Sequence, residues 1–523
     1  MMQSIQAAVQ RSARRVAKTK TFPAPTRGWI RNENLLSPGV AGASLLDNWI
    51  PLEKAVRMRA GRTKYATIGS GAQCTAIMSW ASGGTEKLFG ASSSGIYDIT
   101  TVADPNASPS VAQAMTADTY SWTQFTNAAG SWLIVANGVD DVVRYNGTSW
   151  TGTSGITGVS GADLSAVWSF KARLWFAQKS TLDAWYLGLD AITGAATKLP
   201  LGGIFRDGGS LLFGTSISID AGDGIDDKLV FVTDRGEVAV YTGTDPASIA
   251  LEGIYRIGEP LGNRAFMRAG GDVLIATVDG VIPLSAALQT DSAVIATKAL
   301  SFPIEEEWRK EVDRRSTERW QMAIWPQGQI ALVAMPSAAN KPKRCFVVNI
   351  RTGAWARWTN HDTECVAFYD GRMFIGSSDG TVSTVNEGIT DNGESYTASF
   401  IGLFEDCRAM GAYKVANTAR ATFLTNYNTS AKVTVNGDYD LTLPTAPSGG
   451  SAGVGPSLWG SALWGTGTWG SDDDEQTREA IWQTVAGEGT MLAPVVQITG
   501  GVVIPVVDLL SVDVVYEVGD VLV

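Results

Sequence analysis

The 523 residues include 57 Gly and 18 Trp, with 45% hydrophobic but only 18% charged side chains; this composition suits many short strands and argues against long charged helices. A formal net charge of −11 excludes broad adhesion to nucleic acid, which needs cations to neutralise phosphates. A single histidine, His361, excludes a His-rich metal centre.

The chain opens with MMQSIQAAVQRSARRVAKTK, which lacks an apolar core of signal-peptide length and instead sets Arg11, Arg14, Arg15, Lys18 and Lys20 in a basic run. That run reads either as a solvated tail or as a contact with DNA or an acidic partner. Residues 21–64 follow, where Pro23, Pro25, Pro38 and Pro51 forbid long helices and favour extended segments lying along another surface. Arg57 and Arg59 alternate around Met58, which predicts one strand face carrying both arginines.

Residues 65–394 hold seven similar stretches: 88–99, 133–145, 174–187, 229–241, 273–284, a broken copy within 330–350, and 373–385. Each is an apolar run, a tip rich in Gly, Ser, Asp or Asn, and a second partly apolar run, the pattern of a β-hairpin. Their starts step by 45, 41, 55, 44, 57 and 43 residues, near the length of a four-stranded propeller blade. The expected fold is therefore all-β, a β-propeller of six or seven blades. In its longest gap, SFPIEEEWRKEVDRRSTERW (301–320) predicts a helical insertion. Ser301 serves as its cap, three glutamates lie in its first turn, and Ile304, Trp308 and Val312 form its buried face.

Residues 395–523 read as a C-terminal β part. TARATFLTNYN, AKVTVNGDYDLTL and SVDVVYEVGDVLV alternate as strands do, and Asn436-Gly437 predicts a hairpin turn. Within it, a Trp/Gly-rich linker spans 445–475, where Trp459, Trp464 and Trp469 recur every five residues. That period matches neither strand nor helix, so these rings are expected to anchor a loop against a domain or a neighbouring subunit. The final residues are Val-rich but broken by Gly, Pro and acids, as strands rather than a bilayer span, and the whole reads as a soluble protein. Residues 1–64 and 395–523 are expected to pair as one platform outside the propeller. Removal of 1–64 is expected to leave the hairpin array folded.

Chemistry-bearing motifs are scarce. No GxSxG elbow and no phosphate-cradling loop occurs, and His361-Asp362 reads as a turn or a satisfied core residue. Asp220, Asp223, Asp226 and Asp227 resemble a calcium loop only loosely, and a polar turn between blades is the simpler reading. Ser377-Ser378-Asp379-Gly380 approaches a sialidase Asp box but has no second copy. Cys74, Cys345, Cys365 and Cys407 are scattered without a CxxC pair and are read as reduced core residues. Neither an enzyme nor a cofactor is expected.

Three features together resemble one family. Asn48-Trp49-Ile50-Pro51 followed by Arg57-Met58-Arg59-Ala60-Gly61 is similar to the N-W-x-P … R-x-R-x-G opening of tail nozzle (hub, or tail tubular) proteins of short-tailed, podovirus-like bacteriophages. The LWGSALWGTGTWG linker and the ARATFL … VTVNGDYD strands look like the C-terminal parts of such virion proteins. The resemblance implies a structural virion protein, made in the host cytoplasm and located in the tail, whose homohexameric ring extends the tail tube for DNA ejection. It implies portal and adaptor partners, tail fibres or spikes, transient contact with passing DNA, and the host surface within reach. Assembly contacts are then expected at Arg14, Arg15, Trp49, Pro51, Arg57, Arg59, Trp459, Trp464 and Trp469. The rival class is a phage receptor-binding or glycan-binding or -degrading propeller, since propellers take sugars with exposed Trp and paired carboxylates.

Overall fold

The structure, a computed structural model, describes residues 17–31, 40–220, 225–290, 292–425, 429–448, 477–501 and 506–521. It is an all-β protein, 52% strand and 6% helix. Among the described residues no helix is long and apolar enough to cross a membrane.

Seven small antiparallel meanders follow one another along the chain. They cover residues 76–113, 121–151, 164–200, 211–256, 266–283, 321–359 and 365–385, and are numbered one to seven here. Each stretch read as a hairpin forms two neighbouring strands of one meander; in sheet one, for example, Thr85–Ser92 pairs with Gly95–Asp98. Local chemistry drives these turns. Between Ala76–Ser82 and Thr85–Ser92, Gly83 and Gly84 both take positive φ, 56° and 80°, the backbone a tight two-residue hairpin demands. Sheet seven has three strands of its own and takes its fourth from far upstream: Arg62–Thr67 pairs antiparallel with Thr381–Val385.

Apolar layers join neighbouring sheets. Met78, Phe89 and Tyr145 share a core between sheets one and two, and Ile134, Leu174 and Phe176 another between two and three. Trp175, Phe231 and Ile275 connect three, four and five, while Trp358 and Ile375 connect six and seven. Ile77, Leu88, Cys365 and Phe374 then pack sheet seven on sheet one. Burial of such side chains is worth roughly 1.5–3 kcal/mol each.

Among the described residues sheet five has three strands, and the helical segment stands beside it. A short 3-10 turn, Phe302–Ile304, leads into one α-helix, Glu305–Arg314. Trp308 and Ile304 are fully buried, and the Trp308 indole N–H donates to the Thr277 carbonyl at 2.9 Å. The expected helix to residue 320 is shorter because Arg315 turns extended. Its guanidinium binds Glu311 at 2.7 Å and the carbonyls of Pro336 and Pro342 at 2.8 and 2.7 Å. Ser301 does not cap; its hydroxyl accepts from the Val281 N–H at 3.0 Å.

The two chain ends build the remaining β-structure. The last strand of sheet six, Trp355–Thr359, continues into an eight-stranded sheet through Ala43–Asp47, then Thr397–Gly402, Leu492–Thr499 and Lys432–Gly437. A second sheet centres on Val507–Val521, flanked by Ala412–Thr425 on one side and by Ala17–Pro23 and Val56–Met58 on the other. Thr477–Gly489 forms its far edge.

Three local expectations are corrected. The turn after Lys432–Gly437 is made by Asp438 and Tyr439, at φ 46° and 66°, one step beyond Asn436-Gly437, and that strand pairs with Leu492–Thr499 instead of a sequence neighbour. Leu211–Asp220 and Ile225–Thr233 pair down to Asp220 opposite Ile225, so Asp220, Asp226 and Asp227 lie on strands of sheet four and not in a turn between sheets; residues 221–224 lie outside the described residues. Deletion of 1–64 would cut the strand Arg62–Thr67 that pairs with Thr381–Val385 and remove the core residues Trp49, Val56 and Met58, so it would not leave the array intact.

Candidate functional site: the arginine-anchored junction of the chain ends

The N-W-x-P block is where the N-terminal segment, sheet six and the C-terminal strands meet. Asn48 sits at φ 63°, a left-handed conformation that Asn tolerates better than most residues. Its amide Nδ2 donates to Thr359 Oγ1 at 2.8 Å and to the Thr397 carbonyl at 2.7 Å, while its Oδ1 accepts from Arg59 Nε at 2.9 Å and Thr359 N at 3.0 Å. One side chain therefore ties three segments. Beside it, Asp47 receives a two-pronged bond from Arg357, both contacts 2.8 Å, a geometry that suits the planar guanidinium. Burial lowers the Arg357 pKa and Asp47 outweighs it, so the net shift is upward.

Arg59 is fully buried and pairs with Asp391 through Nη1 at 2.8 Å and Nη2 at 2.6 Å. Its guanidinium lies 4.1 Å from the Tyr396 ring centroid, and the Tyr396 hydroxyl donates to the Arg59 carbonyl. His361 is enclosed in the same cluster, its Nε2 4.0 Å from Asp391, with neither ring nitrogen hydrogen-bonded. Burial, reinforced by Arg59 and Arg62, pushes its pKa well below the ordinary histidine value. The imidazole is thus a neutral core ring, as the core reading expected, but its ring nitrogens are not satisfied. Asp362 accepts from Lys343 and Ser378 at 2.7 and 2.6 Å.

Arg57 reaches a different carboxylate. Its Nε and Nη2 bind Asp508 of the C-terminal strand at 2.7 and 2.8 Å, and that bond raises the arginine's pKa. The strand Val56–Met58 ends before Arg59, so the expected shared face stops short and the arginines clamp separate segments. Lys20 adds a contact at the other end, 2.5 Å from buried Glu405.

Trp49 and Pro51, expected as contacts between copies, are buried within the chain, as is Arg59. Trp49 pairs opposite Met58, and the Pro51 carbonyl accepts from Asn349 Nδ2 at 2.8 Å. These residues brace the interior, which corrects their assignment to an interchain surface; of the four expected contacts in this block only Arg57 keeps a half-exposed side chain. Arg14, Arg15, Trp459, Trp464 and Trp469 lie outside the described residues. Asp47, Arg357, Asp391, Tyr396 and Asp508 were not singled out from sequence. Their signal, isolated charges within apolar strand patterns, does not reveal partners separated by more than three hundred positions.

The four cysteines are all buried thiols. Cys74 and Cys365 meet at 3.6 Å where sheet seven packs on sheet one, and burial pushes Cys345 up to about 12. Among the described residues no cluster of His, Cys, Asp or Glu is arranged to hold a metal ion. Geometry here supports mechanical linkage: ion pairs and a hub amide that lock distant segments.

No known family profile matches the chain, and no curated protein matches it. Among solved structures, the chain is similar to a computationally designed protein, Ika8, at 12% identity and TM-score 0.36, over 62% of this chain and 99% of that one. A BBS1N chain solved in complex with ARL6DN matches at 10% identity and TM-score 0.40, over 65% and 97%. Raptor of Chaetomium thermophilum matches at 11% identity and TM-score 0.36, over 65% of this chain and 29% of that one. Likenesses this remote carry no argument about function.

Proposed function

We propose that this chain is the tail nozzle subunit of a short-tailed phage, a structural protein whose six copies form a ring that extends the tail tube below portal and adaptor. We read its seven meanders as the blades of a β-propeller closed by Arg62–Thr67, and the sheets made by both chain ends as the platform. One observation carries the reading. The N-W-x-P … R-x-R-x-G block, on which the family resemblance rests, is the segment that locks the N-terminal strands to the C-terminal ones, through Asn48–Thr397 and Arg57–Asp508, with Arg59–Asp391 tying it to the loop just before Thr397–Gly402.

A closed ring of sheets leaves few strand edges for unwanted pairing, which suits a rigid module repeated around a tube. Copies at −11 each would repel phosphate along a conduit and reduce friction on the departing genome. The enclosed, neutral His361 supports a structural role over a catalytic one. The basic run at Arg11, Arg14 and Arg15 is assigned to the contact with the adaptor ring, where an acidic surface would receive it.

The test is deletion of residues 1–23, which removes the basic run and the edge strand Ala17–Pro23 but keeps Asp47, Asn48, Trp49, Arg57 and Arg59. The truncated subunit should retain a β-type circular dichroism spectrum and fail to join purified portal–adaptor complexes. A folded truncation that attaches as well as the full chain would contradict the proposal.

A further inference from the structure

The first strands of several sheets converge around Arg264. It stands just ahead of Phe266–Ala269, the first strand of sheet five, with its backbone bridged to Gln321 of sheet six. Its side chain crosses to sheet two: Nη1 donates to the Trp122 carbonyl at 3.2 Å, and the guanidinium lies 3.7 Å from the Trp122 ring centroid. Nearby cross-links run the same way. Arg319 binds Asp118 at 3.2 Å and Gln73 at 3.3 Å, and Gln321 donates to the Thr75 carbonyl at 3.0 Å.

Arg264 differs from Arg59, Arg315 and Arg357 in one respect. Arg59, Arg315 and Arg357 each hold a carboxylate; among the described residues none pairs with Arg264. Surrounding protein alone acts on it, lowering its pKa to about 10 with no acid opposing. Even so, its remaining N–H groups are not sealed. The side chain stays partly exposed, and none of its nitrogens is among the buried atoms that lack a partner. They therefore open onto space that a water-sized group can enter.

We propose that Arg264 is the base of an oxyanion-binding site at this convergence, taking a small carboxylate or inorganic phosphate. A guanidinium held against an aromatic ring with no carboxylate paired to it leaves its open donors free for a ligand, and a planar fork of donors matches carboxylate and phosphate oxygens. The Trp122 ring supports one face of the fork and fixes its plane, so the donors point in a set direction. The site is independent of the proposed place in a tail.

Isothermal titration of the full-length chain with inorganic phosphate, and separately with malonate, at ionic strength held constant with sodium chloride, tests it and distinguishes the two anions. One site per chain is expected for at least one of them. Arg264→Met should weaken it roughly tenfold or more, Arg264→Lys should weaken it less, and Trp122→Phe should retain it. A saturable rise in melting temperature with the same anion, absent in Arg264→Met, is the second readout. Equal binding by wild type and Arg264→Met, or no binding of either anion by the wild type, would overturn the proposal. If Arg264→Met does not fold, Arg264→Lys decides: unchanged affinity in that variant together with no anion-dependent melting shift in the wild type overturns it equally.

Discussion

Arg59 concentrates more of the junction than any neighbouring side chain: two bonds to Asp391, one to Asn48 and one to the Ala60 carbonyl, with Tyr396 under its plane. Replacing it by alanine strands a buried carboxylate, which costs about 3–5 kcal/mol. Chemical denaturation should show that loss for Arg59→Ala, and Arg59→Met combined with Asp391→Asn should recover a sizeable part of it. His361 gives a pH signature. The unfolded chain protonates its histidine below about pH 6.5, while the folded chain resists because the ring is enclosed beside Arg59 and Arg62. Unfolded molecules then bind more protons, so stability falls as pH drops below about 6.5, by up to ~1.4 kcal/mol per unit. With one histidine in the chain, the difference between wild type and His361→Phe across pH 7 to 5 isolates the effect. The variant's melting temperature should fall less over that range; parallel curves would contradict the assignment.

The seam between sheets seven and one is an element-scale joint with little room. A methyl group added at Gly376 would lie 2.5 Å from the sulfurs of both Cys365 and Cys74. Gly376→Ala should therefore destabilise the fold by about 1–3 kcal/mol, and Cys365→Ala in the same chain should relieve part of it; denaturant midpoints of the wild type and the two variants measure this. Seven hairpins were legible in the sequence because each is written within a dozen or two residues, an apolar run on either side of a Gly- or Asp-rich tip. What was not legible is long-range. Nothing local tells that Arg62–Thr67 completes the sheet at Thr381–Val385, or that Ala17–Pro23 lies against the last strand. The Asn436-Gly437 signal misled for a related reason: the strand it ends takes its partner from residues 492–497, so no sequence neighbour fixed the turn there. Helix length failed where tertiary bonds to Arg315 outweighed local propensity.

At the scale of the whole molecule, strands from both ends of the chain are woven into shared sheets with sheet six and with one another. Such a design couples the hairpin array to the ends, so force applied at one is carried by the other, as a ring subunit in a tube would need. The buried junction is legible only in part: the block from Asn48 to Gly61 drew attention by its resemblance, but its role proved to be internal bracing, with Trp49 and Arg59 hidden from any partner. On the proposed reading, surfaces between copies would lie elsewhere on the chain. The most direct test of the central claim is electron microscopy of phage particles in which this chain carries an epitope marked by antibody. A sixfold ring of the labelled chain at the tail, distal to the portal and adaptor, is the result predicted. Label confined to threefold spikes or fibres, or missing from the particle altogether, would contradict it.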